Sequence, residues 1–174
     1  MPQILNHEAV FQRPLAEVFE FITTTGHWLE WHPATHAVTG QTLKPGQLGD
    51  ECEEKVLTAG LFQGHIAWRV VTCAAPVHWA MATTEIAVPL LARARVRVEY
   101  SLKEEGLGTR LFRTFHYELP WYLWLLDKLY FRAKMESESV EALRRLAALI
   151  DRRQAPAARP VERPSLDSDG TVPR

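Results

Sequence analysis

The sequence predicts an α+β domain: a curved antiparallel β-sheet of about seven strands wrapped around one long C-terminal helix, with two short helices between strands 1 and 2. Three observations carry this. Successive segments between His36 and Leu119 alternate apolar and polar residues, and turn residues separate them. One long helical periodicity follows, from Trp121 to about Arg153, and a short apolar stripe at helical spacing precedes them behind a first strand. A sheet with one apolar face must have that face covered, and a single long helix laid across it does so. A sheet that wraps one helix leaves space between the two, and that space is a candidate ligand cavity.

The elements follow in order. Gln3–Phe11 reads as a short strand. Pro14 then stands where a first helical residue would, its fixed φ suiting that position. Leu15, Val18, Phe19 and Ile22 form one apolar stripe, which Thr23, Thr24, Thr25 and Gly26 bring to an end. The stretch GHWLEWHPATH, Gly26–His36, is expected to hold a short second helix stopped before Pro33. Strands are then expected over His36–Leu43, Asp50–Thr58, Phe62–Cys73, Val77–Ile86, Ala92–Lys103 and Thr109–Leu119. The clearest is the fifth, in which Ala94, Val96, Val98, Tyr100 and Leu102 alternate with Arg93, Arg95, Arg97 and Glu99. In the terminal helix, Leu126, Leu129, Ala133, Val140, Leu143, Ala147 and Ile150 are expected to share one buried stripe. From Gln154 the composition turns to Pro, Arg, Asp and Ser, so residues 1–153 are read as the domain and 154–174 as a disordered tail.

With 174 residues, 47% hydrophobic and 24% charged, the chain has the material for one domain with a real core. A net charge of −1 supplies no general attraction to nucleic acid or anionic lipid, so no nucleic-acid partner is expected. No signal peptide and no apolar run long enough to span a bilayer is read. Cys52 and Cys73 are not placed face to face, which suggests free thiols and a reducing, cytoplasmic setting.

The two ends of this sheet differ. Connections at one end are KPG, AAP and EEGLG, which are tight and polar. Those at the other are TAGLF, AVPLL and LPWYLW, which carry Leu61, Phe62, Val88, Leu90, Leu91, Trp121, Tyr122 and Trp124. Apolar loops gathered at one end mark a mouth, a partner or a membrane. The segment GHWLEWHPATH feeds a strand that starts at that end, so Trp28, Trp31 and His32 are expected in an aromatic wall beside the mouth.

His27, His32 and His36 do not make a persuasive metal site, because Pro33 interrupts the spacing and no carboxylate or cysteine completes a set. No metal and no cofactor is expected. Acid–base chemistry has four candidates: His32 at the rim, Tyr100 and Tyr117 on inner faces, and Arg113. Arg113 interrupts the apolar series Leu111, Phe115 and Tyr117; it either points inward, where a ligand anion would answer its charge, or lies near the sheet end, where it pairs with a nearby acid or reaches water. The second placement is the simpler one. Trp68 shares a face with Phe62, Ile66 and Val70, and its indole N–H needs an acceptor, which a ligand oxygen would provide. Glu85 follows Trp79, Met81 and Thr83 and is expected at a solvated strand end. No hydrolase, metalloprotease or nucleotide-binding motif occurs.

Several stretches taken together resemble a known family. These are EAVFQRPLAEVFEFI from Glu8, the WLEWHP segment, the strand GHIAWRV, the strand GTRLFRTFHYELP, and the terminal SVEALRRLAALI. In them the chain is similar to the helix-grip superfamily, called SRPBCC or START-like, and within it to the polyketide cyclase/dehydrase and lipid-transport group. The resemblance covers Gln3 to about Ile150 and is architectural rather than catalytic. It implies a cavity between sheet and C-terminal helix that holds a lipid, polyketide-like or isoprenoid molecule. Trp28, Trp31, His32, Phe62, Trp68, Met81, Val98, Tyr100, Arg113, Phe115, Tyr117 and Trp121 are the residues expected to meet it. The alternative is a cyclase or dehydratase that uses an acid–base group in the same cavity. A third reading has the Trp121–Phe131 surface dock transiently on a protein or a membrane, without stable insertion; the chain is expected to be a monomer or homodimer.

Overall fold

A computed structural model describes residues 2–58 and 60–152; the tail expected over 154–174 lies outside the described residues. The chain runs β1 (Gln3–Phe11), α1 (Leu15–Thr23), a 3-10 turn (Thr25–His27), α2 (Trp28–Trp31), β2 (Thr35–Gly40), β3 (Glu51–Thr58), β4 (Phe62–Ala74), β5 (His78–Ala87), β6 (Arg95–Glu105) and β7 (Gly108–Glu118). It closes with a 3-10 turn (Trp121–Leu123), α3 (Trp124–Leu126), a π turn (Asp127–Phe131) and α4 (Arg132–Arg152). The strands form one antiparallel sheet in the order β1-β7-β6-β5-β4-β3-β2. This is the expected architecture: a curved sheet, a long C-terminal helix across its inner face, and short helices between β1 and β2.

The local reasons are visible. Leu15, Val18, Phe19 and Ile22 bury the stripe of α1. The hydroxyls of Thr23 and Thr24 then donate to the Phe19 and Glu20 carbonyls at 2.8 Å each, the Glu20 carbonyl also accepting the Thr24 N–H at 3.1 Å, so both side chains bond back onto the last turn as the helix ends. In β4, Gly64 lets the chain after β5 lie directly on it; a Cβ there would stand 2.3 Å from the Ala87 carbonyl oxygen. Pairing between β5 and β6 runs only from His78↔Ser101 to Ala82↔Arg97. Beyond it the strands part, and Thr83 bridges them by accepting from the Val96 N–H at 3.1 Å.

The terminal helix departs from expectation in its phase. Leu129 and Val140 are exposed, whereas Phe131, Glu138, Ser139, Ala142, Leu143, Leu146 and Ile150 are buried. The π turn adds a residue ahead of α4, which shifts the stripe. Glu138 and Ser139 then fall on the buried face, where a polar pair disguises the periodicity.

Strand parity holds. The Gly60–Leu61 turn, the Val88–Ala94 loop and the chain after Glu118 share one end, since Thr58 pairs with Phe62 and Arg95 with Glu118. The Tyr122 hydroxyl donates to the Leu90 carbonyl at 3.1 Å and ties two of these connections together. α2 reaches the same end, packing on α4 and β2. Among the described residues no helix is long and apolar enough to cross a membrane.

Candidate functional site

The inner face of the sheet is built in rungs. Cross-strand pairing sets His7, Arg113 and Tyr100 side by side on β1, β7 and β6. One inward rung nearer the apolar end come Leu5, Phe115, Val98 and Met81. The next is Gln3, Tyr117 and Val96, beside the mouth. Arg113 thus lies roughly 13 Å along the strand from Tyr117, at about 3.3 Å per residue. A polar rung sits deep and an apolar rung lies between it and the exit.

Two adjoining cavities occupy the space between these rungs and the helix. The outer one, about 80 Å³, is bounded mainly by aliphatic and aromatic side chains, among them Val56, Ile66, Leu91, Val96, Phe131 and Met135. The inner one, about 40 Å³, is bounded by Trp28, Met81, Val98, Tyr100 and Arg113. His32, Glu54, Trp68 and Phe115 border both and form the waist. On the outside of the sheet a groove of about 720 Å³ runs along the β5–β6 split. It shares Ile86, Ala94, Val96 and Tyr117 with the outer cavity, so one layer of side chains separates the two.

Arg113 is 2% exposed, which contradicts the sheet-end placement and puts a cation in the interior. Its Nη1 donates to Ser139 Oγ on α4 at 2.7 Å, and the guanidinium carbon lies 5.2 Å from the Phe115 ring centroid. Its Nε has no partner, and among the described residues no carboxylate forms an ion pair with it. Glu54, 3% exposed, accepts from the Thr35 hydroxyl and from Trp68 Nε1 at 2.8 Å. The acceptor that the Trp68 indole requires is therefore this carboxyl rather than a ligand oxygen. Burial pushes the Glu54 carboxyl up, against the two hydrogen bonds and the Arg113 charge, and burial likewise raises the Tyr100 phenol.

His32 ends α2 with its Nδ1 shut off from solvent and unpartnered. Burial, and then the Arg113 charge, hold its imidazole down to about 3, so the ring is neutral at ordinary pH. The other two histidines of the segment are elsewhere: His27 stacks on Phe21 at 4.4 Å and meets Glu30 at 2.8 Å, and His36 is exposed.

Of the residues singled out from sequence, Trp28, His32, Trp68, Met81, Val98, Tyr100, Arg113, Phe115 and Tyr117 line the paired cavities. The Tyr117 hydroxyl is already engaged, donating to Asp127 in the π turn at 2.8 Å. Trp31 is fully buried but borders neither cavity, Phe62 stacks behind the mouth on Phe131 at 5.5 Å, and Trp121 is outside, 83% exposed. Glu85 is exposed because the inward side passes to Ile86 beyond the irregular β4–β5 register. Glu54 and Glu138 were not anticipated. The signal for Glu54 was present, since Cys52 and Val56 flank it at period two on one apolar face.

His32 ties the site to stability. The unfolded chain titrates this residue near 6.5 and the fold near 3, so on acidification the unfolded state takes up the proton first. Its contribution is complete above pH 6.5 and is lost as pH falls toward 3. Urea denaturation of wild type and His32→Gln at pH 7 and pH 5 should therefore show wild type losing more stability, by on the order of 2 kcal/mol. Parallel losses in both proteins would mean that the ring ionises freely in the fold.

Comparison with known proteins places the whole arrangement. None of the curated proteins compared is significantly similar in sequence. A solved protein from Thermus thermophilus superposes with a TM-score of 0.70 at 15% identity, covering 88% of this chain and 100% of its own. An uncharacterized protein from Rhizobium leguminosarum gives 0.67 at 15% identity, covering 87% and 96%. Ara h 8.0201 gives 0.63 at 12%, covering 87% and 99%. At such identities the likeness is one of fold. The family model for polyketide cyclase / dehydrase and lipid transport matches residues 3–151, and the chain belongs to that family.

Proposed function

We propose that the protein binds a small amphiphilic molecule, of the lipid, polyketide-like or isoprenoid kind, with an anionic or enolate-like end against Arg113 and an apolar body toward the mouth. One observation carries this reading: a buried guanidinium, with an unpartnered Nε and no ion pair to a carboxylate among the described residues, faces a cavity that is apolar nearer the exit. An interior cation without a counter-charge is costly, and a ligand anion offsets that cost while its methylenes contribute about 0.8 kcal/mol each on burial. Tyr100, in the same rung, is placed to orient the same end.

The cavities, about 80 and 40 Å³, are far smaller than the roughly 300–1,000 Å³ usual for ligand sites of drug size. A ligand of that size requires the π turn and the Val88–Leu91 loop to move outward. Both lie at the mouth, where the Tyr117 hydroxyl bonds Asp127 and the Tyr122 hydroxyl bonds the Leu90 carbonyl.

A second reading, an enzyme of the cyclase or dehydratase type, is favoured by Glu54. Burial keeps its carboxyl protonated further up the pH range, close to a cation suited to hold an enolate. His32 is a weaker acid–base candidate, since a group titrating near 3 is a poor base at neutral pH.

Decanoate titrated against the protein should raise its melting temperature by several degrees at saturation. Arg113→Met, which replaces the cation with an apolar chain, should stay folded and bind at least about tenfold more weakly. Absence of any shift across fatty acids, quinones and polyketide-like aromatics would end the binding reading. The enzymatic reading requires turnover of a β-polyketone analogue that disappears in Glu54→Gln while binding of the analogue persists. Equal turnover in that variant would remove Glu54 from the chemistry.

A further inference from the structure

The terminal helix is apolar on two sides. Its inner side buries Leu123 and Phe131 in the core. Its outer side carries Trp121, Trp124, Leu125, Lys128, Leu129 and Arg132 at spacings of three, one, three, one and three, and all six are exposed. Trp121 is 83% exposed, Leu129 72% and Trp124 63%, which are large values for such side chains. Leu61 and Leu90, exposed on the two neighbouring connections, extend the patch across the whole end of the sheet. A helical segment that exposes large apolar side chains opposite its buried face needs a second apolar environment besides the core.

We propose that this end is a bilayer-docking face that seats the cavity mouth in the head-group region of a membrane containing anionic lipid. The composition identifies the occupant. Tryptophan and tyrosine concentrate at the head-group level of bilayers, and leucines beside them reach the acyl boundary. Lys128 and Arg132 lie on the same outer stripe, and Arg93 is exposed on the Val88–Ala94 loop, so cations border the apolar side chains. The carboxylate on this stretch of helix, Asp127, is turned to accept the Tyr117 hydroxyl. An apolar stripe bordered by cations complements an anionic lipid surface. The segments that carry the patch also supply Leu91, Leu119 and Phe131 to the cavity wall, so a docked molecule opens toward the bilayer. That last consequence rests on the ligand-binding reading; docking itself does not.

The test is flotation of the full chain with vesicles of phosphatidylcholine alone and of phosphatidylcholine with phosphatidylglycerol, at low and physiological salt. Wild type should float with the anionic vesicles, with a blue shift of tryptophan emission, and release as salt rises. Trp121→Ser/Trp124→Ser should lower partitioning at least about tenfold, and Lys128→Glu/Arg132→Glu should do the same on anionic vesicles. Unchanged circular dichroism and an unchanged melting shift with decanoate would show both variants folded with the cavity intact. No flotation of wild type with either vesicle overturns docking, and a retained decanoate shift then leaves the ligand-binding reading standing. A concentration-dependent dimer in light scattering that the tryptophan pair abolishes, without flotation, overturns it in favour of self-association. Flotation that the charge reversal leaves unchanged overturns the preference for anionic lipid.

Discussion

A guanidinium that forms no ion pair among the described residues crosses from the sheet to the terminal helix at the centre of this molecule. Arg113 on β7 reaches Ser139 on α4, between Tyr100 on one flank and His7 on the other. Several titratable groups of the interior respond to that charge. It helps hold the His32 imidazole neutral, it opposes the upward push of burial on Glu54, and it lies against a phenol that burial keeps protonated. Removing one partner from a buried charged contact costs far more than the contact itself contributes. The interior is therefore arranged around a cation that Glu54, the buried carboxyl nearest in influence, only partly answers, and the proposed ligand anion is the group that would complete the set.

Depth gives this charge its meaning. From the Arg113 rung to the mouth the lining passes from polar to aliphatic and then to the exposed Trp121, Trp124 and Leu129 outside. An amphiphile lying along that path matches the gradient at every step, with its head in the low-dielectric interior where charge–charge attraction is strongest. The cavities, about 80 and 40 Å³, are small because apolar side chains fill most of the space between sheet and helix, which keeps the core close-packed. The mouth is closed by hydrogen bonds at its margin, Tyr117 to Asp127 and Tyr122 to Leu90, together with the buried side chains of Phe131, Val88 and Leu91.

How much of this was legible in the sequence differs by level. Strand positions and the apolar end were legible because alternation and turn chemistry act over a few residues, and parity then fixes which connections share an end. The buried face of α4 was not. Its phase depends on the π turn at Asp127–Phe131, and Glu138 and Ser139 look like a solvent-facing interruption until the helix is placed. Arg113 could be flagged as an anomaly within an apolar series. Whether it lay inside or at the sheet end depended on register with β1 and β6, which one strand's sequence does not encode. Glu54 shows the converse: the period-two signal from Cys52 to Val56 was there, but the charged neighbours in ECEEK obscured it.

The most direct test of the buried cation as the organiser of binding is where a bound head group comes to rest. Decanoate labelled with ¹³C at its carboxyl, bound to protein with ¹⁵N-labelled arginine, allows the distance from that carbon to Arg113 Nε to be measured by magnetic resonance. A carboxyl oxygen within hydrogen-bond distance of Nε, and the alkyl tail beside Phe131, is the expected result. A carboxylate resting in solvent at the mouth, with the guanidinium untouched, would contradict it.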